Sequence, residues 1–557
     1  MATTPRKAPA SNPAPVLWRG GEAIPVEKQE DRFTLMSPSP AQIEQLTRLP
    51  GVQEVKRVNR QVTKVITTQN DRDHVMAAMR SDTFGAIAHH AYKPAGSEGT
   101  VYYLTDKIVV RFEPRTTTAQ IEALLAKHSL RLLKTYAMPN TVLVQVTKAS
   151  GVNPLKLADR LSTERIVDYA EPNLVNRHTT AYTPTDGLFK RQWHLHSQRA
   201  PQLAADASVQ APPAWDITRG SREVVVAVID DGFDIDHPDF QGAGKIVQPR
   251  DFVDGDAKPF PTDANYHGTP CAGVAIAESN GRGVVGAAPG CAFMPVRISM
   301  AEDDDQSAEI FDEVAEHADV LSCSWGPPPV YAPLSRLLAD TLAHIARHGG
   351  PRRSGCVICF AAHNFNAPVR DVTLPNEVQW HDGERLRTTR GKIENGFACH
   401  ADVITVSAST SLNQKAQYSN WGREVWLCAP SDNWHPLDDA AYAPGLGIWT
   451  TDNEAVGSGF TANSRYTGDF GGTSSATPLV AGVAALVISA NPALSAAQVK
   501  DILRRTADKI EDPRTDEMTG EAFGRYDGRG HSRWFGYGKV NARRAVQEAA
   551  RRKRNTR

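Results

Sequence analysis

From Val224 to about Gln547 the sequence alternates short apolar runs, rich in Val, Ile and Ala, with helical stretches. No other feature constrains the fold so tightly. Strands that are apolar along their whole length must be covered on both faces, and strands joined through helices run parallel. The alternation therefore predicts one large α/β domain, a mostly parallel sheet between two helical layers. In such folds the chemistry gathers beyond the carboxyl ends of the strands.

Ahead of this region the pattern changes. Between Arg32 and Pro94 the periodicity gives strand, helix, two strands, helix, strand, with R-F-T-L-M and A-I-A-H-H-A-Y as the outer strands. Between Val101 and Asn176 it does so again, from D-K-I-V-V-R-F to I-V-D-Y-A-E-P. Both segments read βαββαβ, so two small α+β domains of the ferredoxin-like kind are expected in tandem. Residues 1–30, rich in Pro, Ala and charge, are expected to be disordered. The predicted divisions are 1–30, 31–98, 99–178, 179–550 and a basic tail, 551–557, read as a solvated end.

Composition removes several classes of function. The 557 residues carry 62 Lys+Arg against 63 Asp+Glu, a net charge of −1, which gives no electrostatic case for a nucleic-acid or membrane-surface partner. No run approaches the roughly 18 apolar residues of a membrane span. The start, M-A-T-T-P-R-K-A-P-A-S-N-P-A-P, lacks the apolar centre of a secretory signal, so a cytoplasmic protein is expected, with export by another route left open. The seven cysteines are odd in number and all lie beyond residue 270, which argues against a secreted disulfide framework. Cys356 and Cys359 form a C-x-x-C inside G-C-V-I-C-F, which reads as a buried strand with core thiols rather than a zinc site.

Three segments carry chemistry. V-V-V-A-V-I-D-D-G runs a buried strand into Asp230, Asp231 and Gly232. N-Y-H-G-T-P-C-A-G puts His267 before a helix of small residues. F-G-G-T-S-S-A-T-P-L-V-A-G puts Ser474 at the turn into an apolar helix, where Gly471 and Gly472 allow close backbone approach and Pro478 suits a first helical turn. Each alone has an ordinary reading: a turn acid, a local hydrogen-bonding histidine, an N-cap serine. Together, in the order Asp, His, Ser, they follow the sequence order of the subtilisin triad.

On these blocks the chain resembles the subtilases, the S8 or subtilisin-like serine proteases. D-D-G-F-D-I-D-H-P-D-F, C-S-W-G-P and Y-S-N-W-G lean towards the kexin/furin branch, without the P-domain that kexins carry. The resemblance implies a serine endopeptidase with Ser474 as nucleophile, His267 as general base and then acid, and Asp230 as the carboxylate that steadies the imidazolium. Asn364, after the strand V-I-C-F-A-A, falls at the family's oxyanion asparagine, with His363 in place of the usual glycine. Ser324, Trp325 and Gly326 match the strand that pairs with an extended peptide, so the implied substrate is a polypeptide. Asp231 is the acid that in kexins favours a basic residue one step upstream of the cleaved residue. No acid follows S-W-G-P, and Asn395 stands where the branch carries another, so dibasic specificity does not carry over.

The family also implies structural Ca²⁺, held by Asp186, Asp239 and Asn280 with the carbonyls of Arg282 and Val284, an oxygen set that suits this ion. Asp251 and Asp256 hint at a second site, but Lys258 replaces an acid there. The second βαββαβ segment, ending in V-D-Y-A-E-P-N-L, resembles the subtilase propeptide and implies an intramolecular inhibitor. Another reading remains: a binding scaffold whose tandem N-terminal domains recruit a partner while proteolysis is silenced.

Overall fold

The computed structural model describes residues 15–59, 61–81, 83–96, 101–175, 182–262, 264–373, 377–438, 440–454, 458–516 and 520–555. The chain divides into two compact units, 1–179 and 180–557.

The N-terminal unit begins with a hairpin of β1 (Val16–Arg19) and β2 (Glu22–Met36). It continues through α1 (Pro40–Thr47), β3 (Val52–Arg57), β4 (Val62–Thr67), α2 (Arg72–Arg80) and β5 (Ile87–Pro94). The second half runs β6 (Tyr102–Phe112), α3 (Thr118–Lys127), β7 (Leu130–Thr135), β8 (Thr141–Val146), α4 (Pro154–Leu161) and β9 (Val167–Val175). All the strands join one antiparallel sheet, ordered β3-β4-β2-β5-β6-β8-β7, with β1 added to β2 and β9 to β6. Reciprocal capping boxes, Ser39 with Gln42 and Thr117 with Gln120, start α1 and α3.

The hairpin corrects the expectation of disorder for residues 16–30. Gly20 and Gly21, at φ 59° and 83°, make the two-residue turn that a right-twisted hairpin needs. The turn buries Leu17 and Val26 against Tyr92, Leu104 and Leu155. Counting proline and charge hides this, because the signal is the Gly-Gly turn between two alternating runs. Residues 1–14 lie outside the described residues.

The larger unit is built on seven parallel strands, in the order Arg250–Asp251, Ala292–Arg297, Val225–Asp230, Val320–Cys323, Val357–Ala361, Val403–Ser409, Val425–Pro430. Val226 and Val228 face helices Gly268–Ile276 and Gly472–Ala490, and Ala227 and Ile229 face Asp304–His317 and Arg336–His348. The domain therefore has the three layers its alternating pattern predicts. Cys359 packs into one layer and Cys356 into the other, which keeps the C-x-x-C pair from sharing an ion. All seven cysteines are unpaired. Helix Gly472–Ala490 is the one helix among the described residues long and apolar enough to cross a membrane, and it is buried in the core. The basic tail also differs from expectation. Arg551 and Arg552 extend the last helix, Ala542–Asn555, because Glu548 pairs with both one turn earlier.

Candidate active site

Asp230 closes the central strand Val225–Asp230 and is fully buried. Its Oδ1 lies 2.8 Å from His267 Nδ1, at the start of helix Gly268–Ile276. Burial disfavours a charged His267, but the Asp230 carboxylate outweighs it and holds the imidazole well above its ordinary pKa. One turn further on, Cys271 Sγ lies 3.7 Å from His267 Nδ1 and 3.5 Å from the Ser474 carbonyl, so one thiol touches both chemistry-bearing segments. Burial pushes that thiol up to about 11, which keeps it protonated. Phe470, just before the serine turn, meets the His267 ring edge-on at 5.8 Å.

Ser474 is the third residue of helix Gly472–Ala490 and is 9% exposed. There its N–H has no acceptor within the helix. Its Oγ donates to the Ser324 carbonyl at 3.4 Å, and Ser324 Oγ donates back to the Ser474 carbonyl at 3.1 Å. Pro478 explains why that carbonyl is available. It sits inside the helix rather than in its first turn, and it has no N–H to give to the carbonyl four residues earlier. Ser324 and Cys271 supply the missing donors.

The turn itself is tightly braced. Gly472 takes φ 70°, and a Cβ there would lie 2.9 Å from Asn364 Nδ2; one on Gly471 would overlap the Asp432 carboxylate. Asn364 Oδ1 accepts from Thr473 N at 2.8 Å and from Thr473 Oγ1 at 2.9 Å. Its oxygen is thereby committed, and its Nδ2–H₂ faces the turn as a donor. His363, in place of the family's usual glycine, adopts the left-handed φ of 80° that glycine would favour, pinned by its N–H to Thr473 Oγ1 at 3.1 Å.

Asp432 was missed by sequence reasoning. It accepts from Gly472 N at 2.9 Å and from Tyr418 Oη at 2.8 Å, bracing the turn from behind. The available signal was the one used for Asp230: an acid just past the carboxyl end of a parallel strand, here Val425–Pro430.

Other expected residues fall nearby. Trp325 turns its side chain inward, donating Nε1–H to the Ile229 carbonyl at 2.8 Å and stacking on Phe311, so that segment has its backbone to offer a ligand. A Cβ on Gly326 would lie 2.6 Å from His363 Nε2 and 3.3 Å from Asn395 Nδ2, which brings three segments to one spot. Asp231 has a task the sequence reading did not give it. It accepts from the N–H groups of Tyr266, His267 and Gly268, the last at 2.8 Å, and so caps the His267 helix. Asp251 is held by Arg297 at 2.7 Å, together with Asp254, so a guanidinium serves that cluster.

Asp186, Asp239 and Asn280 do converge. Asp186 Oδ1 accepts from Asn280 N at 2.9 Å, and Asp239 Oδ2 accepts from Val284 N at 3.1 Å. Both carboxylates are buried. Burial first, and then the charge of Asp186, pushes the Asp239 carboxyl up to about 6. Two sheltered acids that repel one another fit a divalent cation. Asn280 fits less directly, because its amide nitrogen, 3.1 Å from Asp239 Oδ1, is the end turned to the cluster while its oxygen accepts from Arg282 N.

Residues 221–538 match the Subtilase family, peptidase S8, and the chain belongs to that family. Residues 91–173 match the fervidolysin N-terminal prodomain. A calcium-dependent protease of Trichormus variabilis is 34% identical over 483 residues, which cover 82% of this chain and 65% of that protein. The chain thus spans just under two thirds of that relative's length. A thermophilic serine proteinase of a Bacillus species is 28% identical over 457 residues, 80% of this chain and 88% of the relative. A crystal structure of an Aeromonas sobria serine protease overlays with a TM-score of 0.53 at 20% identity, over 67% of this chain and 69% of that one, which supports the fold.

Proposed function

We propose that the chain is a serine endopeptidase that cleaves polypeptides through an acyl-enzyme and is held latent by its N-terminal region. The observation that carries this reading is that the Asp230–His267 pair lies against the serine segment, with Phe470 on the His267 ring and Cys271 on the Ser474 carbonyl, beside the turn that Asn364 holds. In the proposed reaction His267 takes the Ser474 hydroxyl proton as Oγ bonds to the scissile carbonyl carbon, and Asp230 stabilises the imidazolium. The oxyanion receives hydrogen bonds from Asn364 Nδ2 and from the Ser474 N–H at the positive end of its helix. His267 then returns the proton to the leaving amine, and a water repeats the sequence to release the acid. The backbone at Ser324–Gly326 offers an extended substrate a strand to pair with.

Ca²⁺ belongs to the proposal as a structural ion. Asp186, Asp239 and Asn280, with the carbonyls of Arg282 and Val284, would hold it, and it would supply the charge that offsets the two buried acids. The name of the Trichormus variabilis relative supports this part. Latency draws on the prodomain match over residues 91–173, in a reading where residues 99–178 inhibit in cis and residues 179–550 form the peptidase. The kexin/furin lean rests on Asp231 and the quoted motifs. Seven unpaired cysteines suit a reducing compartment, so the proposal keeps the protein in the cytoplasm.

The test is intact mass after treatment with a fluorophosphonate probe in calcium-containing buffer, on the full chain and on a chain lacking residues 1–178. The expected result is an adduct at Ser474, formed faster on the shortened chain and lost in Ser474→Ala. No adduct on either chain would favour the scaffold reading. Equal rates on both would remove latency while leaving the peptidase.

A further inference from the structure

A cavity of about 540 Å³ in the N-terminal unit is lined by Lys28, Arg80, His89, His90, Lys148 and Lys156, and by no Asp or Glu. It lies where the two βαββαβ halves meet. One wall is β5, carrying His89 and His90, and the other is the turn after β8 and the start of α4. Asn153 joins the walls: its Oδ1 accepts from Lys156 N at 2.9 Å and its Nδ2 donates to Tyr92 Oη at 2.9 Å. Lys28, Lys148 and Lys156 have no ion-pair partner among the described residues.

His89 is 6% exposed and its Nε2 has no hydrogen-bond partner, but strand alternation turns it to the sheet face opposite Lys28, His90 and Tyr92. The buried Nδ1 of His90 is likewise without a partner. The charges facing His90 are Lys28, Arg72 and Arg80, against the single carboxylate of Asp73, which Arg72 already engages at 2.9 Å. A cavity lined by three lysines and Arg80 has donors and positive charge in excess, with no carboxylate of its own.

We propose that this cavity binds a small doubly charged oxyanion, the phosphate group of a phosphate ester, gripped by Lys148, Lys156 and Lys28. One carboxylate would leave most of these cations unbalanced, whereas a phosphate dianion offers both the charge and enough acceptor oxygens. The volume lies within the range of small-molecule sites and leaves room for the body of the ester along Ile87, Val146 and Val152. Because the walls come from both halves, such a ligand would clamp them together.

The experiment titrates inorganic phosphate, then glycerol phosphate, into the Ser474→Ala full chain by calorimetry at low ionic strength, with chloride as the monovalent control. Binding at submillimolar phosphate is expected, weakened at least tenfold in Lys148→Ala/Lys156→Ala. Both lysines are exposed, so the variant should melt as the parent does. The proposal is overturned if millimolar phosphate gives no binding, if the double variant binds equally well, or if chloride competes as effectively as phosphate.

Discussion

Two sheltered histidines, one in each unit, are driven to opposite charge states. Burial costs His267 and His89 the same kind of hydration energy and lowers the pKa of both. His89 ends at about 3, because its burial goes unopposed by any carboxylate, and Arg80 and His90 add to it. His267 ends well above the ordinary value, because its neighbour at 2.8 Å is the Asp230 carboxylate. Desolvation alone pushes a buried imidazole to the neutral form, as at His194, and only an adjacent carboxylate reverses it. One ring is prepared to carry a proton through a reaction, and the other stays neutral.

The comparison breaks hardest if Asp230 loses its charge. Asp230→Asn should lower kcat on a peptide substrate by about 10⁴. It should also move the acidic limb of the kcat/KM profile to lower pH, since an imidazolium without its carboxylate gives up its proton more readily. A limb that stayed in place would show that Asp230 is not what holds His267 up. A smaller loss tests the other partner of the turn. Asn364→Ala removes one oxyanion donor and should cost about 10²–10³ in kcat with little change in KM. An equal rise in KM would make Asn364 a ground-state contact instead.

The parts of this site that were legible in the sequence are those written in contiguous strings. A strand ending in D-D-G, an H-G-T helix start and a G-T-S-S-A-T-P turn each encode their own backbone, so Asp230, His267 and Ser474 could be found one by one. The parallel sheet was legible for the same reason, since each strand announces its burial by composition. Asp432 was not, because it acts on Gly472 across 40 residues and its local sequence resembles any strand end. The role of Pro478 was misread because its effect lies in a carbonyl that Ser324 accepts responsibility for, 150 residues away. Nor does periodicity reveal that β5 and β6 join both halves of the N-terminal unit in one sheet, a pairing made by only Ala91, Tyr92, Tyr102 and Tyr103.

The acid pair near Asn280 puts the same rule to a test of stability. Asp239 has a folded pKa of about 6 against a usual 3.8, so in the absence of a cation its contribution to stability is present below pH 3.8 and lost as pH rises through about 6. A bound cation reverses that penalty by favouring the ionised form. Chelation with EDTA should therefore lower Tm by several degrees at pH 8 and by much less at pH 5, read by differential scanning fluorimetry. Asp239→Asn should flatten the dependence. An EDTA effect independent of pH would remove Asp239 from the ion's ligands.

The smallest effect lies at His89 and completes the comparison. Its folded pKa of about 3 is depressed from 6.5, so the unfolded chain binds a proton in this interval that the folded one does not. The stability it supports is full above pH 6.5 and falls as pH drops towards 3. His89→Gln removes the titration but keeps a polar side chain, so the variant should match the parent at pH 8 and exceed it by a few degrees in Tm near pH 4.5. If the two proteins melt alike at both pH values, His89 does not titrate in this interval, and its contrast with His267 fails.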